Sequence, residues 1–235
     1  MNKSLYMSLL ALEMLICSQE NINVYLPFEN ILSTAKDEDM LYEIQELVKS
    51  GVLAPDTVGK GFDILPEAQK YIRPILASRA IIKIINKETQ LSKICYPADN
   101  EVTVIEDAVN RSDKLRFTIS DRNSLPKFVA EGFNMFLTEE LSDNAEIINL
   151  NEIDTEIEKI GLDGSIDELS EKNEVIAVVD IFKHDSMIFS RIIIYRTDAE
   201  DRFAVFSSKA APECFKSDFN IFKNRFDLIL EEILC

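Results

Sequence analysis

Glycine and histidine are both scarce in this chain, with six glycines and one histidine among 235 residues. So few glycines leave little material for a phosphate-cradling loop, and neither GxxxxGK(S/T) nor GxGxxG occurs. The single histidine, His184, is followed directly by Asp185 and Ser186 on an expected hairpin turn. A catalytic triad brings its members together across a fold, which three neighbours on one turn rarely achieve. Four cysteines occur, Cys17, Cys95, Cys214 and Cys235, none of them spaced as CxxC. A structural zinc site needs clustered Cys and His ligands, so neither metal nor cofactor is expected. Asp143, Asp154 and Asp163 also lack EF-hand spacing. The thiols read as reduced, with Cys17 on an apolar helix face and Cys95 in a strand, both as core residues.

Long apolar runs are missing as well. Leu5 to Ile16 is apolar but contains Glu13 and spans about a dozen residues, whereas a membrane span needs about 20. A signal peptide wants a basic leader and a small-residue cleavage site, and neither is clear here. The expectation is a buried amphipathic helix in a cytoplasmic protein with no membrane partner. Positive charge is the last shortage: Lys+Arg number 25 against Asp+Glu 42, a net charge of −17. Such a chain repels phosphate backbones, so no nucleic-acid partner is expected. The charge fits a protein kept soluble by repulsion, or a binder of basic or aggregation-prone partners.

What is present describes shape. A fold of this length buries roughly 70–75% of its unfolded surface, enough for a core without disulfides. Residues 1–78 read as a helical, winged-helix-like module: a helix over Ser4–Ser18, another over Leu26–Ala35 opened by Pro27, and a third from Lys36. The stripe of the third is Met40, Leu41, Ile44, Leu47 and Val48, and Gly51 stands at its C′ position. Short strands at Val52-Leu53 and Phe62–Ile64 follow, then a helix from Pro66 to Ser78. In a winged helix the third helix enters the DNA groove. Here it carries Asp37, Glu38, Asp39, Glu43 and Glu46 against Lys36 and Lys49, which argues against reading base edges.

Residues 79–138 read as strands at Arg79–Lys87, Leu91–Tyr96, Glu101–Ala108 and Lys114–Ser120, with a turn at Pro97-Ala98-Asp99-Asn100. A helix from Ser124 to Leu137 closes this segment, its stripe running through Leu125, Phe128, Val129, Phe133 and Phe136. Residues 139–173 form an acidic connection with twelve Asp or Glu and two Lys, holding one short helix over Asp154–Ile160. Residues 174–235 are a second meander with a C-terminal helix. The runs from Glu174, Ile188 and Arg202 are β-branched and aromatic. Ile188–Tyr195 is apolar except for Ser190 and Arg191, without the alternation of a strand covered on one face. It is therefore central, with helices or a partner on its second face. Lys209–Lys216 reads as a loop, and Ser217 as the cap of a helix with the stripe Phe219, Phe222, Phe226, Ile229, Leu230 and Ile233.

Both meanders precede a Phe-striped helix opened by serine. Either this plan arose by chance or it marks a quasi-two-fold α+β fold, an antiparallel sheet flanked by helices, with 79–235 as one core and 1–78 packed on it. The order of elements resembles the EspG-type cytosolic chaperones of type VII secretion systems. The resemblance rests on the step Leu47-Val48-Lys49-Ser50-Gly51-Val52-Leu53, the Leu65-Pro66 helix start and the strand Arg79–Lys87. It implies a non-enzymatic protein that holds a helical secreted substrate and covers the apolar tip of its bundle. The contacts it implies are the turn Pro97, Ala98, Asp99 and Asn100, and the helix bearing Phe128, Phe133 and Phe136. The alternative for those phenylalanines is core. Two other functions stay open: an immunity protein that neutralises a basic toxin, and a winged-helix transcriptional regulator. Oligomeric state is not legible.

Overall fold

The computed structural model describes residues 4–19, 24, 26, 30–56, 61–87, 91–109, 111–131, 147–148, 155–162, 174–183, 188–198 and 200–234. Among the described residues the strands are β1 Leu5–Met7, β2 Leu53–Pro55, β3 Phe62–Ile64, β4 Ala80–Asn86, β5 Leu91–Ala98, β6 Glu101–Ala108, β7 Arg111–Asp121, β8 Ile147–Ile148, β9 Glu174–Lys183, β10 Ile188–Arg196, β11 Asp201–Ser207 and β12 Glu213–Lys216. The α-helices are α1 Leu9–Cys17, α2 Asp37–Lys49, α3 Pro66–Ala77, α4 Leu125–Glu131, α5 Thr155–Ile160 and α6 Phe219–Leu234. A large antiparallel sheet with helices, plus the separate β2–β3 pair, makes this the mixed α+β class expected from the sequence. Chain contacts define two compact units of two stretches each, Met1–Ser78 with Cys95–Arg122, and Arg79–Ile94 with Asn123–Cys235. Each is described by itself.

In the first unit the strand order is β1-β7-β6 and then the second half of β5. The expected helix from Ser4 is shorter than its apolar run suggests. Leu5, Tyr6 and Met7 pair with Phe117, Arg116 and Leu115 as an edge strand. The helix starts only at Ser8, whose Oγ accepts from Ala11 N at 3.0 Å and caps it. Glu13, the one acid in that run, is buried, and its carboxylate accepts from Leu32 N at 2.7 Å. That bond anchors a 3-10 turn over Leu32–Thr34; the other described residues of the expected second helix, Leu26, Asn30, Ile31 and Ala35, are not helical. Cys17 proves exposed, because it sits in the last turn of α1 away from the buried Leu12, Leu15 and Ile16. α3 lies on β6 and β7. Its Pro74 lacks the N–H that would bond the Lys70 carbonyl. One residue on, the Tyr71 carbonyl accepts from buried Thr103 Oγ1 of β6 at 2.9 Å.

In the second unit the order is the first half of β5, then β4-β9-β10-β11-β12-β8. β9 and β10 are buried along nearly their whole length on both faces, as the unalternating Ile188–Tyr195 run requires. One face joins Val178, Ile193, Tyr195, Ala204, Phe206 and Cys214 to Ile157 and Ile160 of α5. Neighbouring residues point the opposite way. There Phe203 stacks on Phe215 with centroids 5.1 Å apart, and Phe222 of α6 meets Phe203 edge-on at 5.8 Å. Each such aliphatic or aromatic burial contributes about 1.5–3 kcal/mol. The expected loop Lys209–Lys216 contains β12, because Cys214 and Phe215 bury themselves against Ala204 and Phe203. The cap of α6 is Asp218, not Ser217: its Oδ1 accepts from Asn220 N at 2.8 Å and Ile221 N at 3.0 Å.

Candidate functional site

The turn singled out in the sequence is the tip of the β5–β6 hairpin. Asp99 adopts φ +49°, a left-handed conformation that Asp tolerates better than most residues. Three bonds brace the turn. Ser78 Oγ donates to the Pro97 carbonyl at 2.7 Å, Arg122 N donates to the Asn100 carbonyl at 3.0 Å, and Arg122 Nη1 donates to the Asp99 carbonyl at 3.3 Å. Asp99 and Asn100 are exposed, Ala98 is half-buried and Pro97 is buried. The tip is thus a fixed projection of two polar residues on an apolar base.

Phe128 belongs to the second unit, half-buried on α4 beside the buried Leu125 and Val129. The Lys93 ammonium stands 4.6 Å from its ring centroid, a cation–π contact that covers part of the ring. Phe133 and Phe136 lie outside the described residues, as do His184-Asp185-Ser186, Asp143, Asp154 and Asp163. The implied contact residues therefore fall in two compact units.

A surface that sequence reasoning missed lies on α2. The stripe at spacings of four and three is Met40, Ile44 and Leu47, of which Leu47 is buried and the other two half-buried. Leu41 and Val48, expected in that stripe, are instead 59% and 37% exposed, and Tyr42 is 59% exposed. The helix is well formed underneath. Lys36 N donates to Asp39 Oδ2 at 3.3 Å, Gly51 takes φ +72°, and Val52 N donates to the Leu47 carbonyl at 2.9 Å. Of its two flanking lysines, Lys49 donates to Glu46 Oε1 at 2.9 Å, and that bond holds the Glu46 carboxyl below the usual carboxylate range.

The second unit holds a buried ion pair. Arg191 Nε donates to Asp180 Oδ1 at 2.6 Å and Nη2 to Oδ2 at 3.0 Å, with both side chains 7% exposed. Its Nη1 reaches the Gly161 carbonyl at 3.4 Å, so the pair also ties the end of α5 to the sheet. Among the described residues no group of three or more His, Cys, Asp or Glu is placed to hold a metal ion, and no helix is long and apolar enough to cross a membrane. No family model matches the chain, and no curated protein matches it.

Proposed function

We propose that the chain is a non-enzymatic cytosolic binding protein for other proteins, and that it acts as the EspG-type chaperones do. In this reading it holds a helical type VII secretion substrate and covers the apolar end of its bundle. The observation that supports the reading is the braced tip at Asp99-Asn100. A projection fixed by three hydrogen bonds loses little freedom on binding, so its contacts go into affinity rather than ordering. It lies at the turn that the resemblance assigns to substrate contact, and its exposed groups offer hydrogen bonds rather than nucleophiles.

A second reading is favoured by the net charge of −17: an immunity protein that meets a basic toxin by electrostatic complementarity. A winged-helix regulator is disfavoured by the acids along α2.

The test is a mild affinity pull-down from the native host with the wild type and with Asp99→Gly/Asn100→Gly. The chaperone reading expects a small helical secreted protein in stoichiometric amount, lost in the variant. Capture of a toxin domain establishes the immunity reading in its place, and salt-sensitive DNA retention overturns both.

A further inference from the structure

We infer that the exposed face of α2 is a docking surface for a basic amphipathic helix of another protein. The inference goes beyond the reading above, since it requires no secretion substrate and uses a different element from the Asp99-Asn100 tip.

At 3.6 residues per turn, Leu41 and Val48 stand about 20° apart on the helix, with Gln45 about 40° from Leu41 and Tyr42 about 100° from it, both on the side away from Val48. Leu41, Gln45 and Val48 are thus the i, i+4 and i+7 positions by which one helix reads another. All four side chains are exposed. Single exposed apolar residues are ordinary on a protein surface; three on four turns of one helix, beside a separate buried stripe, make a second apolar face.

Charge selects the occupant. On the same wheel Asp37 and Glu38 lie within about 60° of Leu41 and Glu46 borders Tyr42, while Asp39 and Glu43 lie further round; the one cation of α2 on this side is Lys49, whose ammonium is already engaged by Glu46. A second copy of this chain would bring the same acids against these, a repulsive juxtaposition. Nucleic acid and anionic lipid are repelled on the same ground. A helix with leucine-like residues on one side and Lys or Arg along the margins satisfies both components. The face is also ready to bind. α2 is held from behind by buried Leu47 and by its packing on α1, and Gly51 and Val52 close its C-terminus.

The experiment titrates the isotope-labelled full chain with a synthetic helical peptide of about eighteen residues, built from Leu and Lys at amphipathic spacing, at physiological salt. Amide shifts are followed by NMR for the wild type, for Leu41→Ser/Val48→Ser, and for Glu38→Lys. The substituted apolar positions are exposed, so the circular dichroism melts should match wild type. The expected result is saturable shifts concentrated on α2, affinity reduced about tenfold or more in the double variant, and a smaller reduction in Glu38→Lys. Shifts spread over the acidic surface with equal affinity in the double variant overturn the inference, as does self-association through α2. Pull-down with the Leu41→Ser/Val48→Ser protein separates the two readings: if it still captures the secreted protein, α2 is not the surface that holds it, and the reading built on the tip survives.

Discussion

At the scale of residues, the Asp180–Arg191 pair shows how much one buried charge depends on its neighbour. Removing one partner strands the other in a site where water cannot reach it. Arg191→Met should therefore cost about 3–5 kcal/mol of stability, measured by urea unfolding. Asp180→Leu/Arg191→Met removes both charges and should recover part of that loss: Phe206 follows Arg191 across the sheet, while half-buried Lys83 of β4 stands beside Asp180 and keeps its charge. A double variant no more stable than the single one would show that the bond to the Gly161 carbonyl, and not the ion pair, is what matters. The sequence marks Arg191 as one of two polar residues in an apolar run. It does not mark Asp180 as its partner, because that choice depends on register. The register shifts between Ile188 and Ser190 through an irregularity that no local propensity records.

At the scale of elements, the middle strand was legible and the helix faces only partly so. Six apolar residues among eight, β-branched and aromatic and without alternation, read as a strand covered on both sides, and β10 adopts it. Ile193→Asp places an unpaired carboxylate against Ile157, Ile160 and Tyr195 and should cost several kcal/mol. A thermal melt indistinguishable from wild type would contradict this packing. α2 was harder to read. Its apolar residues at 40, 41, 44, 47 and 48 span more than one stripe, and periodicity does not say which edge of so wide a stripe faces inward. Packing on α1 decides it for Leu47. β1 was hidden for a related reason: three apolar residues suit a helix or an edge strand equally well until Ser8 caps the one and β7 pairs the other. The candidate site was legible to a similar degree. The β5–β6 turn was found from its Pro-Ala-Asp-Asn chemistry, while its bracing by Ser78 and Arg122 comes from residues about twenty positions away in the chain.

At the scale of the whole molecule, a net charge of −17 sets a repulsion that folding has to overcome. Salt screens exposed acids far more than it screens the buried Asp180–Arg191 pair. The melting temperature should therefore rise between low ionic strength and about 1 M NaCl, where the Debye length falls to about 3 Å. A fall over the same range would mean that surface ion pairs such as Lys209–Glu232 and Arg225–Glu213 outweigh the repulsion. The way the two compact units share the chain has a consequence for biosynthesis. Once Arg122 has left the ribosome, every residue of the first unit has been made. β4 is made within that stretch, yet its antiparallel neighbour β9 follows only after the acidic segment has been translated. Until then Ile81, Ile82 and Ile84 form an open apolar edge on a nascent protein, the kind of surface that draws aggregation during synthesis. The pace of translation between Asn86 and Glu174, more than the sequence of either strand, sets how long that edge stays uncovered.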